Sequence, residues 1–503
     1  MRADEAYAEL LQRVREETLL TTIEALLEWD EETYMPPGGV ENRSEQLALV
    51  AGLLHERGTD PRFGELLADI EGSDLLADDA GAAAVNVRAL RREYDRFVRL
   101  PRSLVEEVAR TTALAQHAWA AARAAGDFQR FRPYLERIVS LKREEAECVG
   151  FAEEPYDALL EDYEPGLRSS VLSRLFDALR QELIPLMARI GTAGRQPDAS
   201  VLRRHFPRER QRQFGEAVAA AIGFEFRRGR LDLGVHPSCS SIGPGDCRIS
   251  ARFVERDFPG GFFTVLHEVG HGLYEQGLDP AHYGTPLGEA PSVGLDEAQA
   301  RFWENRVGRD RRFWDHFYPR AREFFPESLG DVPPEEFHFA VNRVTPSLIR
   351  VRADEVSYNL HIMIRFDLER ALIGGELAVA DLPDAWRAAY RQTLGVVPRS
   401  DAEGCLQDGH WADGLIGYFP TYTIGDVFAA QLYARAELEL GDLGAQFGRG
   451  DFAPLVRWLG RRVYQQGGRY PSPRLIQEVT GSPPDHDPLV RMLTAKYSEL
   501  YEL

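Results

Sequence analysis

The chain has 503 residues, enough for one large domain or two to three ordinary ones, and at 44% hydrophobic it has ample material for a core. Its formal charge of −21 argues against a nucleic-acid partner, which would call for a basic surface, and fits a well-solvated soluble enzyme. Four cysteines are too few for a disulfide framework at this length.

Residues 4–30 show helical periodicity through Leu10, Val14, Leu19, Ile23, Leu26 and Leu27. They lack the apolar stretch of a secretory signal, and no run in the chain approaches the ~20 apolar residues that span a bilayer. A cytoplasmic protein with reduced thiols and no membrane contact is therefore expected; Cys239 and Cys247 are the pair that could join in an oxidising setting. Met35-Pro36-Pro37-Gly38-Gly39 is a break. Helices are expected again from about 41, across 61–99 with an interruption at Gly72-Ser73-Asp74, and from Pro101 through the Ala-rich run Thr111–Ala125. Further helices are expected at 128–149, 168–192 and 207–222, with a turn at Tyr163-Glu164-Pro165-Gly166. Segments 231–235 and 247–253 alternate like short strands around the Gly/Pro-rich 241–246, which predicts a small hairpin-like insert. Beyond 297 the pattern is again helical, at about 297–325, 334–343, 346–374, 382–394, 423–441, 451–459 and 472–480. No repeat or linker interrupts it, so the expectation is a mainly α fold, one large helical domain over 1–503 with a minor β element.

The hairpin-like insert leads into Gly261-Phe262-Phe263-Thr264-Val265-Leu266 and then His267-Glu268-Val269-Gly270-His271, an HExxH pattern. On a helix, positions i and i+4 share a face, so both imidazoles reach one metal ion with Glu268 beside them to handle a water. The apolar flanks suit a helix buried on most sides, where two histidines and a glutamate need a reason to be. A third ligand is supplied by Glu297, in a second helical segment that begins near Val293, after a loop containing Gly284 and Pro286. Two His and one Glu leave an open position on zinc, the arrangement of metal-assisted hydrolysis.

Two more polar clusters stand out. Ile349-Arg350-Val351-Arg352-Ala353-Asp354 lies in an expected helix, where Arg350 and Asp354 could simply form an i, i+4 pair. Gly404-Cys405-Leu406-Gln407-Asp408-Gly409-His410-Trp411 is polar, aromatic and Gly-punctuated, as binding loops tend to be, and Tyr418 and Tyr422 follow it.

Taken in order, Asp246-Cys247-Arg248-Ile249-Ser250, the HEVGH stretch, Asp296-Glu297-Ala298-Gln299, the segment from Ile349 to Asp354 and the segment from Gly404 to Trp411 resemble the carboxypeptidase Taq family of HExxH zinc metallocarboxypeptidases. The resemblance runs the length of the chain, through Trp29-Asp30, Met35-Pro36, the Tyr163–Gly166 turn and Gly284–Glu289. It implies a helical fold with a deep cleft, similar in shape to angiotensin-converting enzyme and neurolysin. It also implies a homodimer that trims peptides from the C-terminus with broad specificity, using zinc or cobalt in its place. By matching positions His267, His271 and Glu297 are the metal ligands and Glu268 the general base, while Arg350 and His410 bind substrate. Asp354 falls in the same set as a supporting residue. The chain departs from the family pattern at His236-Pro237-Ser238, where the family has His-Pro-Phe, and at Asp296 and Ala298, where it has His and Ser around the Glu ligand.

An exopeptidase needs a cation for the terminal carboxylate; Arg350 is the first choice and Arg248 the second. His236 is carried as a further substrate contact. His410 and Tyr422 are candidate donors to the tetrahedral oxygen, with Tyr418 weaker. Asp296 is expected to point away from the metal and to accept from a ligand histidine. Two other readings use the same residues: a helical zinc endopeptidase or dipeptidyl carboxypeptidase, and a catalytically weakened metal-binding homologue.

Overall fold

The computed structural model describes residues 2–234 and 236–503. Helices dominate. The N-terminal part holds α1 (Ala3–Thr33), α2 (Val40–Gly58), α3 (Pro61–Ile70) and α4 (Ala82–Arg99). Next come α5 (Arg102–Ala125), α6 (Arg132–Val149), α7 (Pro155–Leu160), α8 (Ser169–Thr192) and α9 (Arg208–Ile222). Strands β1 (Gly229–Leu233), β2 (Ser238–Gly243) and β3 (Asp246–Ala251) precede α10 (Phe258–Gly277) and α11 (Val293–Arg301). The remainder comprises α12 (Arg311–Phe324), α13 (Pro326–Leu329), α14 (Pro334–Val341), α15 (Ser357–Gly374) and α16 (Leu382–Thr393). It closes with α17 (Pro420–Leu440), α18 (Leu443–Gly448), α19 (Ala453–Arg462), α20 (Ser472–Thr480) and α21 (Asp487–Tyr501).

The β element differs from the expected hairpin. β1 pairs with β3 in parallel, and the antiparallel partner of β3 is β2, giving the order β1-β3-β2. β2 forms from the serine-rich segment just before the expected loop and from the loop's first residues. Every one of its residues is half-buried, so it carries no apolar alternation to signal a strand. Val235, placed by sequence in the first strand, lies outside the described residues.

Two helix expectations also need correction. The run 346–374 is not one helix: a single 3₁₀ turn at Arg350–Arg352 precedes α15. Asp354 explains the break, because its carboxylate accepts from the backbone N–H groups of Val356 and Ser357 and from Thr345, capping α15 instead of pairing with Arg350. The run 297–325 is split as well: α11 passes into a π-helical turn at Phe302–Val307, and α12 starts afresh behind its cap Asp310. The pattern gives no sign of α7, α13, α18 or α21.

One large hydrophobic core extends over most of the chain, and a small separate cluster joins Ala6 and Leu10 of α1, Leu66 and Ile70 of α3, and Leu90 of α4. The main core is densest behind α10. There Phe258 and Phe262 stack, with Phe214, Trp314 and Phe325 packed around them. Burying one such side chain stabilises by about 1.5–3 kcal/mol, so this wall holds α10 against the body of the protein.

Candidate active site

Helix α10 begins at Asp257, whose side chain accepts from the Gly260 N–H, and has Pro259 in its first turn. Phe262, Val265, Leu266, Val269 and Leu273 are buried in the body of the protein, and His267 and His271 are half-buried towards a cavity. Helix α11 crosses α10 at Gly270. A Cβ there would lie 2.6 Å from both the Ala300 Cα and the Gln299 carbonyl, so only glycine permits the crossing. Gly425 does the same for α17, where a Cβ would meet the Glu297 Cγ at 2.8 Å. The two close approaches bring Glu297 over the histidines.

The start of α11 is held from outside. Ser292 accepts from the Leu295 N–H at 3.1 Å, and the buried carboxyl of Glu164, from the Tyr163–Gly166 turn, accepts from the Gly294 N–H. Burial pushes Glu164 up to about 8 despite those contacts.

His267 Nε2 stands 3.7 Å and His271 Nε2 3.9 Å from Glu297 Oε2, and the three donor atoms lie within 4.8 Å of one another. Donors about 2.0–2.2 Å from a tetrahedral zinc ion are about 3.3–3.6 Å apart, so one ion fits with little movement. A carboxylate faces each outer ring nitrogen. His267 Nδ1 contacts Glu304 Oε2 at 3.1 Å. His271 Nδ1 lies 3.0 Å from Asp296 Oδ1, at an angle poor for a hydrogen bond. Arg301 links the set: its Nε donates to Glu297 Oε1 at 2.7 Å and its Nη1 to Glu304 at 3.3 Å, leaving Glu297 Oε2 turned to the histidines.

The field at this point favours a cation. Burial pulls His271 down, yet Asp296, Glu268 and Glu297 outweigh it and lift the ring to about 10. Burial also raises the Glu304 carboxyl, but Arg301, His267 and Arg309 overcome it and hold Glu304 at about 2. Glu268 is buried beside the histidines, and desolvation raises it above the ordinary carboxylate range.

A cavity of about 300 Å³ opens over these groups, with His267, Glu268, His271 and Glu297 on one side and Tyr418 and Tyr422 on another. His410 Nε2 is 3.1 Å from the Tyr422 hydroxyl; burial, then Arg350, keep its ring neutral, down at about 4. Arg350 is buried with its guanidinium 5.0 Å from the Tyr422 ring centre. It donates from Nε and Nη2 to Asp408 and from Nη1 to Tyr358, leaving one hydrogen on each terminal nitrogen without an acceptor among the described residues. Arg350 and His410 stand behind Tyr422 and do not themselves line the cavity, and the other sequence candidates lie apart from it too. Arg248 is forked onto Asp246 and stacked 4.2 Å over Trp29. His236 is exposed in the bend before β2, its carbonyl accepting from Ser250. A larger hollow of about 670 Å³ beside β1 holds Arg230 and Tyr34, both already paired with Asp232, and, among the described residues, no metal donor set.

Sequence reasoning missed Glu304, Arg301 and Glu164. Arg301 had a signal, since it follows Glu297 at helical spacing; Glu304 lies in the π-helical turn, and Glu164 meets Gly294 from 130 residues away and had none.

Comparison with known proteins shows the family. A family model described as carboxypeptidase Taq (M32) metallopeptidase matches residues 9–497. Thermostable carboxypeptidase 1 of Thermus thermophilus is 48% identical over 511 residues, covering 100% of both chains. Carboxypeptidase 1 of Bacillus subtilis is 37% identical over 95% of each. Among solved structures, the M32 carboxypeptidase from Deinococcus radiodurans superimposes with a TM-score of 0.96 at 42% identity, covering 99% of this chain and 100% of that one.

Proposed function

Because the chain belongs to the carboxypeptidase Taq (M32) metallopeptidase family, we propose that it is a zinc-dependent carboxypeptidase that removes single residues from the C-termini of peptides with broad specificity. The observation that carries this reading is the convergence of His267 Nε2, His271 Nε2 and Glu297 Oε2 in one cavity with a buried carboxylate, Glu268, beside them. The three donors are the proposed ligands, and cobalt would suit the same set. When bound, the ion supplies Lewis acidity to the scissile carbonyl and lowers the pKa of water towards ~7.

The protein's own groups do the rest. Glu268 takes the water proton and delivers it to the leaving amine. The Tyr422 hydroxyl, paired with the neutral His410, is placed at the cavity wall to donate to the developing oxyanion. Arg350 presents its two remaining hydrogens to the terminal carboxylate, with Asp408 and Tyr358 fixing the fork. Asp296 and Glu304 orient the rings of His271 and His267, and Arg301 orients Glu297. As the family resemblance suggests, the working unit is a cytoplasmic homodimer, which sedimentation would check. Among the described residues, no helix is long and apolar enough to cross a membrane.

The test is a mass-spectrometric ladder of a mixed peptide pool with the zinc-loaded protein. Single residues should disappear from free-acid C-termini, C-terminal amides should resist, and Arg350→Ala should abolish that discrimination. Internal cuts or dipeptide products would assign the same metal site to an endopeptidase or dipeptidyl carboxypeptidase. Bound zinc without any hydrolysis would mark a weakened homologue.

A further inference from the structure

We propose that Cys239 and Cys247 form a dithiol site in the wall of the metal cavity that captures thiophilic centres, either trivalent arsenicals or soft cations. The two residues lie on β2 and β3, where Cys239 is opposite Ile249 and Cys247 opposite Ser241. They are therefore diagonal neighbours on one face of the sheet, the face turned to α10. Their Sγ atoms are 3.6 Å apart. A disulfide needs about 2.04 Å between the sulfurs. Two thiolates on a tetrahedral ion with bonds of about 2.3 Å lie about 3.8 Å from each other. The pair thus matches a bridging atom better than a direct S–S bond.

Access and consequence follow from the surroundings. Cys239 is half-buried and lines the same cavity as Glu268 and His271. Cys247 is buried beneath α10, where a Cβ on Gly272, the residue after His271, would lie 3.5 Å from its sulfur. Contact with Cys247, then burial, then the Glu268 and Glu275 carboxylates hold the Cys239 thiol protonated, well above its ordinary range. A protonated thiol is a poor single nucleophile, so retention depends on both sulfurs acting together. With an aryl arsenous oxide, two S–H bonds are exchanged for two As–S bonds, the oxide oxygen leaves as water, and arsenic stays trivalent. With a soft cation, two protons leave. Either occupant would stand in the cavity wall against the helix that carries the proposed ligands.

The test uses the zinc-loaded full chain and phenylarsine oxide, with occupancy read by intact mass after challenge with excess monothiol. Wild type should retain one arsenical per chain and release it to a dithiol. Cys239→Ser should lose retention at least tenfold while keeping the wild-type circular dichroism and melting temperature, and Cys247→Ala should do the same. Cys148→Ser should retain the arsenical. Failure of wild type to retain the reagent, or undiminished retention by Cys239→Ser, would overturn the site. A second arm adds Cd²⁺. A thiolate-to-cadmium charge-transfer band in wild type that vanishes in Cys239→Ser shows that cations share the site, and its absence with the arsenical retained assigns the site to arsenicals. The expected inhibition rests on the function proposed above: hydrolysis should fall in step with occupancy. Occupancy itself is read by mass, so a chain that hydrolyses no peptide leaves that result intact.

Discussion

Glu268, buried, and Glu304, half-buried, both stand beside His267, yet they should fail in different ways when changed. Glu268 faces the cavity and reaches no proposed ligand atom through a hydrogen bond, so Glu268→Gln should leave metal content unchanged by elemental analysis. It should lower kcat by roughly 10²–10⁴, the usual contribution of a general base. Glu304 holds the far side of the His267 ring, so Glu304→Gln should weaken metal affinity by roughly 10–100-fold. It should leave kcat near normal once metal is supplied in excess. If the two variants behave alike, the division between base and orienting residue is wrong. At this scale much was legible. The spacing of His267 and His271 on one helical face and the carboxylate of Glu297 downstream could be read directly. Asp296 was expected to turn from the metal towards a ligand histidine, and it lies against His271. Arg301 follows Glu297 at i, i+4 and could have been read from that spacing, whereas Glu304 lies in the π-helical turn after α11, which shifts it off the regular helical register.

Helix α11 is placed by its close crossings with α10 and α17 and by a tie at its N-terminus. Its N-terminus is tied to Glu164, a buried carboxyl raised to about 8 against an ordinary value of 4.5. A group whose folded pKa is raised lends stability that is complete below the unfolded value and disappears as pH rises through the folded one. Wild type should therefore lose stability relative to Glu164→Gln between about pH 4.5 and pH 8, measured by urea midpoints across that range. A gap that stays constant with pH would mean that Glu164 does not titrate there. Elements with strong helical periodicity, such as α1, α8 and α9, were foreseen almost to their ends. Those defined by side-chain capping or by partial burial were not: Asp354 ends one segment and starts α15, and every residue of β2 is half-buried, so it has no apolar alternation to pattern.

Across the whole molecule, two hydrophobic clusters divide the work. The aromatic wall behind α10 belongs to the large core, and the small cluster of α1, α3 and α4 stands apart from it. Phe262→Ala should cost about 3–5 kcal/mol and also weaken metal binding, since it loosens the helix that carries both histidines. Leu66→Ala should cost about 2–5 kcal/mol and leave metal affinity as it was. Equal losses of affinity would show that the two clusters act as one. The central claim is that one ion, held by residues of α10 and α11, serves the whole cavity. Anomalous diffraction at the zinc edge on crystals of the zinc-loaded protein tests it most directly. The account predicts a single strong peak per chain within bonding distance of His267 Nε2, His271 Nε2 and Glu297 Oε2, and its loss in His271→Ala. A principal peak elsewhere, or one that survives that substitution at full height, would contradict it.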